Sequence, residues 1–136
     1  MAAIDVDLRN YLLADSAIIR QVGTRIYENH VPQNINTVPF IYFVRTGDET
    51  FDAINDPAGT TPNKYQFAVE CIGRNISESR GLADLVKTHH KEVKTTFGSR
   101  TASVVWIENQ SDDYVARAGA GDSGFHTSAL QMEVFV

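Results

Sequence analysis

The chain has 136 residues, of which 43% are apolar and 21% charged, and its formal net charge is −5 with a pI near 5.2. This length and composition suit one folded domain and exclude a chain that is disordered throughout. The acidic balance excludes the overall positive charge typical of a nucleic-acid-binding protein, although a local basic patch stays open.

The apolar runs are short, far below the roughly 20 residues that a membrane-spanning helix needs. The first residues, Met-Ala-Ala-Ile-Asp-Val-Asp, lack the basic and apolar regions of a secretory signal. We therefore expect neither membrane insertion nor export. Cys71 is the only cysteine and stands in an apolar alternation, which is typical of a small buried core residue in a reducing compartment.

Two helical segments are predicted at the start of the chain. Apolar residues repeat at helical spacing in 5–14, and carboxylates in its first turn favour the positive end of the helix dipole. A second, shorter helix is predicted from the capping residue Ser16 to Gly23, which suits a left-handed C-terminal cap. A short strand is predicted over 25–28.

Two strands and a long loop are predicted next. Residues 31–39 contain two prolines and indicate an extended connector. The aromatic and β-branched run 40–44 is apolar on both faces, which predicts a strand covered on both sides, and the alternation in 64–72 predicts a half-buried strand. Between them, 47–63 indicates a long loop, either functional or merely flexible. This loop has no basic residue, and its acidic residues are Asp48, Glu49, Asp52 and Asp56.

The clearest helix is predicted to begin after Asn75, with Glu78 at the spacing of a capping box, and to continue to about Thr95. Its apolar side comprises Leu82, Leu85, Val86, His89 and Val93, which makes His89 a core histidine. Its opposite side carries a basic stripe of Arg80, Lys87, Lys91 and Lys94. Such a stripe is either a solvated face or a contact surface for an acidic partner.

The last part of the chain predicts two strands, 102–108 and 127–136, separated by a polar, glycine-rich loop over 109–125. The charged residues of that loop include Asp112, Asp113 and Asp122 against Arg117. The elements together predict an α+β fold in a single domain, 1–136. It comprises a mainly antiparallel sheet of about four to five strands, packed against two to three helices that form a single layer on one face.

No catalytic constellation emerges from the sequence. Residues 119–124 match G-x-G-x-x-G, but a dinucleotide-binding motif must open a helix, and here a strand follows. The Gly-Asp-Ser-Gly within it resembles the nucleophile region of chymotrypsin-like proteases over four letters only. Ser123 and His126 lie too close in sequence to indicate a nucleophile with its base and an orienting carboxylate. A small hydrolase is therefore the weakest alternative, and we expect no enzyme.

Metal and cofactor sites are not predicted either. His89 and His90 are neighbours on a predicted helix and point about 100° apart, whereas paired helical ligands stand four residues apart. Asp112 and Asp113, as adjacent loop carboxylates, favour solvation over acid–base catalysis. We expect no cofactor.

Several segments carry a resemblance to a known family. Residues 15–27 read Asp-Ser-Ala-Ile-Ile-Arg-Gln-Val-Gly-Thr-Arg-Ile-Tyr, and 38–43 read Val-Pro-Phe-Ile-Tyr-Phe. The strand that contains Phe67 and the alternating C-terminal strand follow. In element order and spacing, nearly the whole chain resembles the small tail-completion or tail-terminator proteins of long-tailed bacteriophages.

The resemblance implies a virion structural protein, made in the bacterial host cytoplasm and placed in the tail or neck. It implies a closed homo-oligomeric ring, a hexamer, at the head-proximal end of the tail tube, where it stops tube growth. The implied partners are the tail tube protein and the head-tail connector or head-closure protein, with DNA passing through the lumen without specific binding. A head-closure or connector protein of the same neck is the alternative, since both form rings. A nucleic-acid-binding module acting through the basic helix is a further one, against which the net charge argues.

Charge suggests how copies of the chain could meet. We hypothesise that the acidic residues of 47–63 face either the channel of the ring or the basic stripe of a neighbouring subunit. The candidate assembly contacts are Asp48, Glu49, Asp52, Asp56, Arg80, Lys87, Lys91, Lys94, Asp112, Asp113 and Arg117.

Overall fold

The computed structural model describes residues 3–29, 38–49, 64–115 and 125–136. The elements in chain order are α1 (Ile4–Leu13), α2 (Ser16–Val22), β1 (Ile26–Glu28), β2 (Phe40–Glu49), β3 (Lys64–Gly73), α3 (Ile76–His89), β4 (Glu92–Phe97), β5 (Arg100–Val115) and β6 (Phe125–Phe135). Among these described elements, no helix is both long and apolar enough to cross a membrane, and the longest, α3, has 14 residues.

The strands form one sheet in the order β1-β2-β3-β6-β5-β4. β1 pairs with β2 in parallel, and every other pairing is antiparallel. The predicted α+β class and mainly antiparallel sheet are confirmed. The described residues contain six strands where about four to five were expected, because β4 was not predicted as a strand.

The three helices pack as one layer on one face of the sheet. α3 lies on β3 and β6, α2 contacts α3 and β2, and α1 contacts β1 and β4, the strands at the two ends of the sheet order. The predicted alternation of β3 is confirmed, since Tyr65, Phe67, Val69 and Cys71 are all buried beneath this layer. Burying each large apolar side chain stabilises the fold by about 1.5–3 kcal/mol.

The aromatic strand β2 is covered unequally on its two faces. Ile41 and Phe43 are 0% exposed on the helical side. On the other side Phe40 is buried by rings rather than by a helix, with ring centroids 5.7 Å from Tyr27 and 6.2 Å from Phe125. The prediction that both faces are covered therefore holds at the start of β2.

The short helix α2 has a different cap from the one predicted. Asp15, not Ser16, is the N-cap, and its Oδ1 accepts hydrogen bonds from the backbone N–H groups of Ala17 at 2.8 Å and Ile18 at 3.3 Å. A carboxylate at this position also meets the positive end of the helix dipole. Gly23 ends the helix, as predicted, and has a positive φ of 60°, but its ψ of −126° is not that of the left-handed cap that was expected.

The capping box at the start of α3 is confirmed. Asn75 Oδ1 accepts from the backbone N–H of Glu78 at 2.8 Å, and the Glu78 carboxylate accepts from the backbone N–H of Arg74 at 3.0 Å. The first bond uses a donor that the first turn of a helix leaves without a partner, whereas the second reaches the residue before the N-cap.

The end of α3 was predicted wrongly. The helix ends at His89, not near Thr95, and the chain turns into β4, which pairs antiparallel with β5. Val93, assigned to the apolar side of the helix, is instead 72% exposed in this strand, whereas Phe97 at its end is 0% exposed. The four basic residues therefore do not form one helical stripe, because Lys91 follows the helix and Lys94 belongs to β4.

Both predicted loops are shorter than expected within the described residues. β2 continues to Glu49, so Asp48 and Glu49 belong to a strand and not to the loop over 47–63. β5 continues to Val115 through an irregularity between Glu108 and Gln110, so it takes up the first part of the loop predicted over 109–125. In these segments the backbone forms hydrogen bonds with β3 and β6. The polar side chains of the sequence do not indicate that pairing.

Candidate assembly surfaces

The basic residues of α3 are held by strand β5 of the same chain. Arg80 Nε lies 2.7 Å from Asp112 Oδ2, and Lys87 Nζ lies 2.8 Å from Gln110 Oε1. Ser128 donates a hydrogen bond to Asp112 at 2.6 Å. The hydrogen bond from Ser128, followed by that from Arg80, holds the pKa of Asp112 below its ordinary value. Two predicted contact cations and one predicted contact anion thus pair within the subunit.

The other two basic residues lie at the β4 edge of the sheet. Lys91 Nζ is 5.0 Å from the centroid of the Trp106 ring, a cation–π distance. Lys94 is exposed and has a positive φ of 54°. Between them Val93 is 72% exposed, and Trp106 on the adjacent strand is 45% exposed. We call Lys91, Val93, Lys94 and Trp106 the β4-edge patch.

The acidic residues divide between described and undescribed parts of the chain. Asp48 is exposed near the end of β2, with Glu49 following it in the strand. Asp113 is exposed in β5. Asp52, Asp56 and Arg117 lie outside the described residues. For each of the predicted contacts, a role in assembly stays a prediction.

The face of the sheet opposite the helices mixes rings with charge. Trp106 donates its indole N–H to Glu108 at 2.7 Å. Lys64 Nζ lies 3.6 Å from Glu133 and 5.6 Å from the centroid of the Phe135 ring. Half-exposed apolar rings surrounded by polar groups are typical of surfaces that contact other proteins.

His89, the last residue of α3, and His90, which follows it, line a cleft of about 480 Å³ between α1, the start of α2 and β4. Asp15 Oδ2 lies 2.8 Å from His89 Nδ1 and 3.0 Å from His90 Nε2. The prediction that His89 is the core histidine was wrong. The His89 side chain is 41% exposed, whereas that of His90 is 4% exposed. Helix α3 ends between them, so the second ring turns inward against Tyr11, at a centroid distance of 4.5 Å.

The protonation of this cluster follows from burial and hydrogen bonding. Burial lowers the pKa of His90 and outweighs the opposing charge of Asp15. For Asp15, burial opposes ionisation, but the hydrogen bonds from His89 and from the first turn of α2 outweigh it and lower the pKa. Neutral His90 therefore donates its Nε2–H to an ionised Asp15, since a carboxylate only accepts. The cluster connects α1, α2 and α3.

The structure describes part of what bears on metal binding and on the hydrolase alternative. In the described parts of the chain, no group of three or more His, Cys, Asp and Glu side chains is placed to hold a metal ion. His126 lies half-buried in β6, paired with Tyr114, and Ser123 lies outside the described residues.

Two features were missed by sequence reasoning. Asp15 had a local signal, since it directly precedes the first turn of α2. The second is Asp7, which is fully buried and binds Ser99 and Arg100 at the turn between β4 and β5. These partners stand more than 90 residues away along the chain, so no local pattern could have revealed them.

The fold has a counterpart among solved structures. A chain of a solved virion has the same fold. That structure is described as the virion of a native gene transfer agent (GTA) particle, and the match covers 98% of this chain and 91% of that one, with a TM-score of 0.61 and 17% sequence identity. No protein-family model matches the sequence, and no curated protein matches it. At this identity the likeness to the GTA virion chain concerns the fold alone.

Proposed function

We propose that this protein is a structural component of a phage-like virion. The observation that carries the proposal is the likeness to the GTA virion chain, because it extends over 98% of this chain and 91% of the other, leaving little of either fold unmatched. The resemblance to tail-completion proteins, which rests on different evidence, points to the same kind of particle.

Within the virion, we infer a tail-terminator role: a homo-oligomeric ring, with six subunits expected, at the head-proximal end of the tail tube. The segments that carry the family resemblance are ordered elements of the fold. Residues 15–27 form the Asp15 cap, α2, the Gly23 turn and the start of β1, and 38–43 enter β2 beside β1. Such a ring stops tube growth on one side and contacts the head-closure protein on the other.

The charge of the chain suits a ring that passes DNA. A net charge of −5 per subunit disfavours tight binding of phosphate groups, so DNA would cross the lumen without being held. The proposed role is structural rather than enzymatic, and binding energy then comes from surfaces such as the β4-edge patch.

The test combines particle analysis with the mass of the purified protein. Mass spectrometry of purified particles from the producing host should detect the chain, and gold-labelled antibody should locate it at the head-proximal end of the tail. Light scattering after gel filtration should give a ring mass of about six subunits, expected from the family resemblance. Label at the head connector, rather than at the end of the tail, would favour the head-closure alternative. Absence of the chain from particles would refute the proposal.

A further inference from the structure

The cleft beside the two histidines contains buried polar atoms that make no hydrogen bond. Tyr11 is 6% exposed and the His90 side chain 4%, and both residues line the cleft. Within the described part of the chain, the Tyr11 hydroxyl and His90 Nδ1 have no hydrogen-bond partner. Because a buried polar group without a partner is costly, two such atoms at one cleft are candidates to bind a ligand.

The His90 nitrogen that lacks a partner is an acceptor. Neutral His90 donates its Nε2–H to Asp15 Oδ2 at 3.0 Å, and a neutral imidazole carries only one N–H. Nδ1 therefore presents a lone pair, which needs a donor. Asp15 itself is already used, because its Oδ1 accepts from two backbone N–H groups of α2 and its Oδ2 contacts both imidazoles.

The charge of the cleft favours a cation. Its described lining contains two carboxylates, those of Asp15 and Glu92, and neither lysine nor arginine. A cleft lined by charge of one sign attracts ions of the opposite sign. An anion would be repelled by both carboxylates, so the ligand that suits this cleft is a cation with N–H donors.

The acceptors belong to more than one wall of the cleft. Glu92 and Thr95, in β4, lie near the Tyr11 hydroxyl without forming a hydrogen bond with it, whereas His90 follows α3. A guanidinium group carries five N–H donors in one plane and no acceptor, so it can bind acceptors on two walls at once. An ammonium group concentrates its donors at one point. The cleft volume of about 480 Å³ lies within the range of ligand sites.

Contact with the two buried atoms requires small side-chain movements, because neither atom is exposed. Glu92 and Thr95 are half-buried and Thr96 is exposed, so these residues meet a ligand first. Side-chain rotations are common when a protein binds a partner. Glu92 thus supplies the first contact, and rotations of Tyr11 and His90 complete the site.

We propose that this cleft binds the guanidinium group of an arginine side chain on a partner protein. Glu92 supplies the opposing charge, His90 Nδ1 accepts one N–H, and the Tyr11 hydroxyl accepts another while it donates to Glu92. The protein partner rests on the proposed function, because a virion component meets its neighbours through side chains. The preference for guanidinium rests on the cleft alone.

The probe is N-acetylarginine amide, which carries the side chain without charged termini. It is compared with its neutral isostere, N-acetylcitrulline amide, and with methylguanidinium, which lacks the stem of the side chain. NMR titration follows the imidazole protons of His89 and His90, assigned with His89→Gln and His90→Gln. Glu92→Gln and Tyr11→Phe test the site, and Glu108→Gln in β5, exposed and outside the cleft, is the matched control. Circular dichroism establishes that each variant folds.

The arginine probe should shift both imidazoles and saturate with a Kd of about 1 mM, as suits a ligand of this size. The citrulline probe, which has lost the charge, should bind at least about tenfold more weakly. Glu92→Gln should weaken binding of the arginine probe about tenfold, whereas Glu108→Gln should leave it unchanged.

Tyr11→Phe separates ligand binding from a structural role. It should weaken binding of the arginine probe about threefold, because one acceptor is lost. The melting temperature should stay the same or rise, since the hydroxyl has no partner in the free protein. A lower melting temperature with unchanged binding would show that the hydroxyl serves the fold and not the ligand, and would overturn its place in the site.

The partner is tested in purified particles. A photoreactive residue in place of the exposed Thr96 should crosslink to a peptide of another virion protein that contains arginine, as identified by mass spectrometry. Crosslinks only to peptides without arginine would overturn the arginine partner.

Three titration results would overturn the site itself. They are no saturable shift of either imidazole up to about 20 mM arginine probe, equal binding of the citrulline probe, and Glu92→Gln no weaker than Glu108→Gln. Methylguanidinium that binds as tightly as the arginine probe would overturn the side chain as the ligand. The virion role is judged separately by particle mass spectrometry, so a chain found in particles that binds no guanidinium would refute this site alone.

Discussion

The fully buried carboxylate of Asp7, in helix α1, binds the turn between β4 and β5. It accepts hydrogen bonds from the Ser99 backbone N–H at 2.7 Å, the Ser99 hydroxyl at 2.8 Å and Arg100 Nε at 2.6 Å. Gly98 in the same turn has φ +61°, and a Cβ at this position would collide with Asp7. We therefore expect Asp7→Ala to be strongly destabilising.

The expected loss of stability in Asp7→Ala follows from Arg100, whose charge loses Asp7 as its buried partner. Removing one partner of a buried ion pair costs about 3–5 kcal/mol. Because the Arg100 side chain is 15% exposed, solvent can relieve part of that cost, and we expect a loss near the lower end, about 3 kcal/mol. Asp7→Asn retains an oxygen acceptor for Ser99 and should lose about 2 kcal/mol. A loss of about 3 kcal/mol corresponds to a melting temperature lower by roughly 10 °C.

Urea unfolding followed by circular dichroism measures these losses. The control is Asp84→Ala, because Asp84 is 64% exposed and lies 4.0 Å from its partner Lys87, so its loss should stay within about 0.5 kcal/mol. An Asp7→Ala variant as stable as this control would refute the role assigned to the buried pair.

The same residue predicts a dependence on pH. Burial by itself would raise the pKa of Asp7, but the hydrogen bonds from Ser99 and Arg100 outweigh it and hold the pKa below the ordinary value of an aspartate. Because the pKa of Asp7 is lower in the folded protein than in the unfolded chain, its ionised form stabilises the fold at every pH above the unfolded-state pKa. That stabilisation is lost as the pH falls through the folded-state pKa. The difference between native protein and Asp7→Asn should therefore be constant from pH 7 to about 5 and shrink below about pH 4. A difference that stays constant there would contradict the reasoning.

Three further predictions concern the core, a helix cap and the cysteine. Phe67 is 0% exposed, so Phe67→Ala should lower the free energy of unfolding by about 3–5 kcal/mol in urea, and a loss under about 1 kcal/mol would contradict its packing. Asn75→Ala should cost about 1 kcal/mol because the N-cap hydrogen bond is lost, whereas Ser77→Ala in the same exposed turn should be nearly neutral. Burial raises the pKa of the Cys71 thiol, so a thiol reagent at pH 8 should label it only after unfolding, and rapid labelling of the native protein would disprove its burial.

The sequence by itself determined the elements whose signals are local. Alternation from Lys64 onward fixed the buried face of β3, because side chains in a strand point to opposite sides in turn. Gly23 and the pair Asn75 and Glu78 marked helix ends, because their effects depend on backbone groups only a few residues away. The α+β class followed from the order of these elements.

Tertiary structure decided where competing local patterns end. After His89 the sequence still fits a helix, but β4 forms because pairing with β5 satisfies its backbone and buries Phe97. That choice also separates Lys91 and Lys94 from α3 and turns His90 inward.

Charge pairing was likewise settled only in three dimensions. Arg80 pairs with Asp112, 32 residues away along the chain, and Asp7 pairs with Arg100, 93 residues away. The composition gives the number of these charges but not which of them form ion pairs within the subunit. Local patterns act through neighbours along the chain, whereas strand register and ion pairing depend on which distant segments the fold brings into contact.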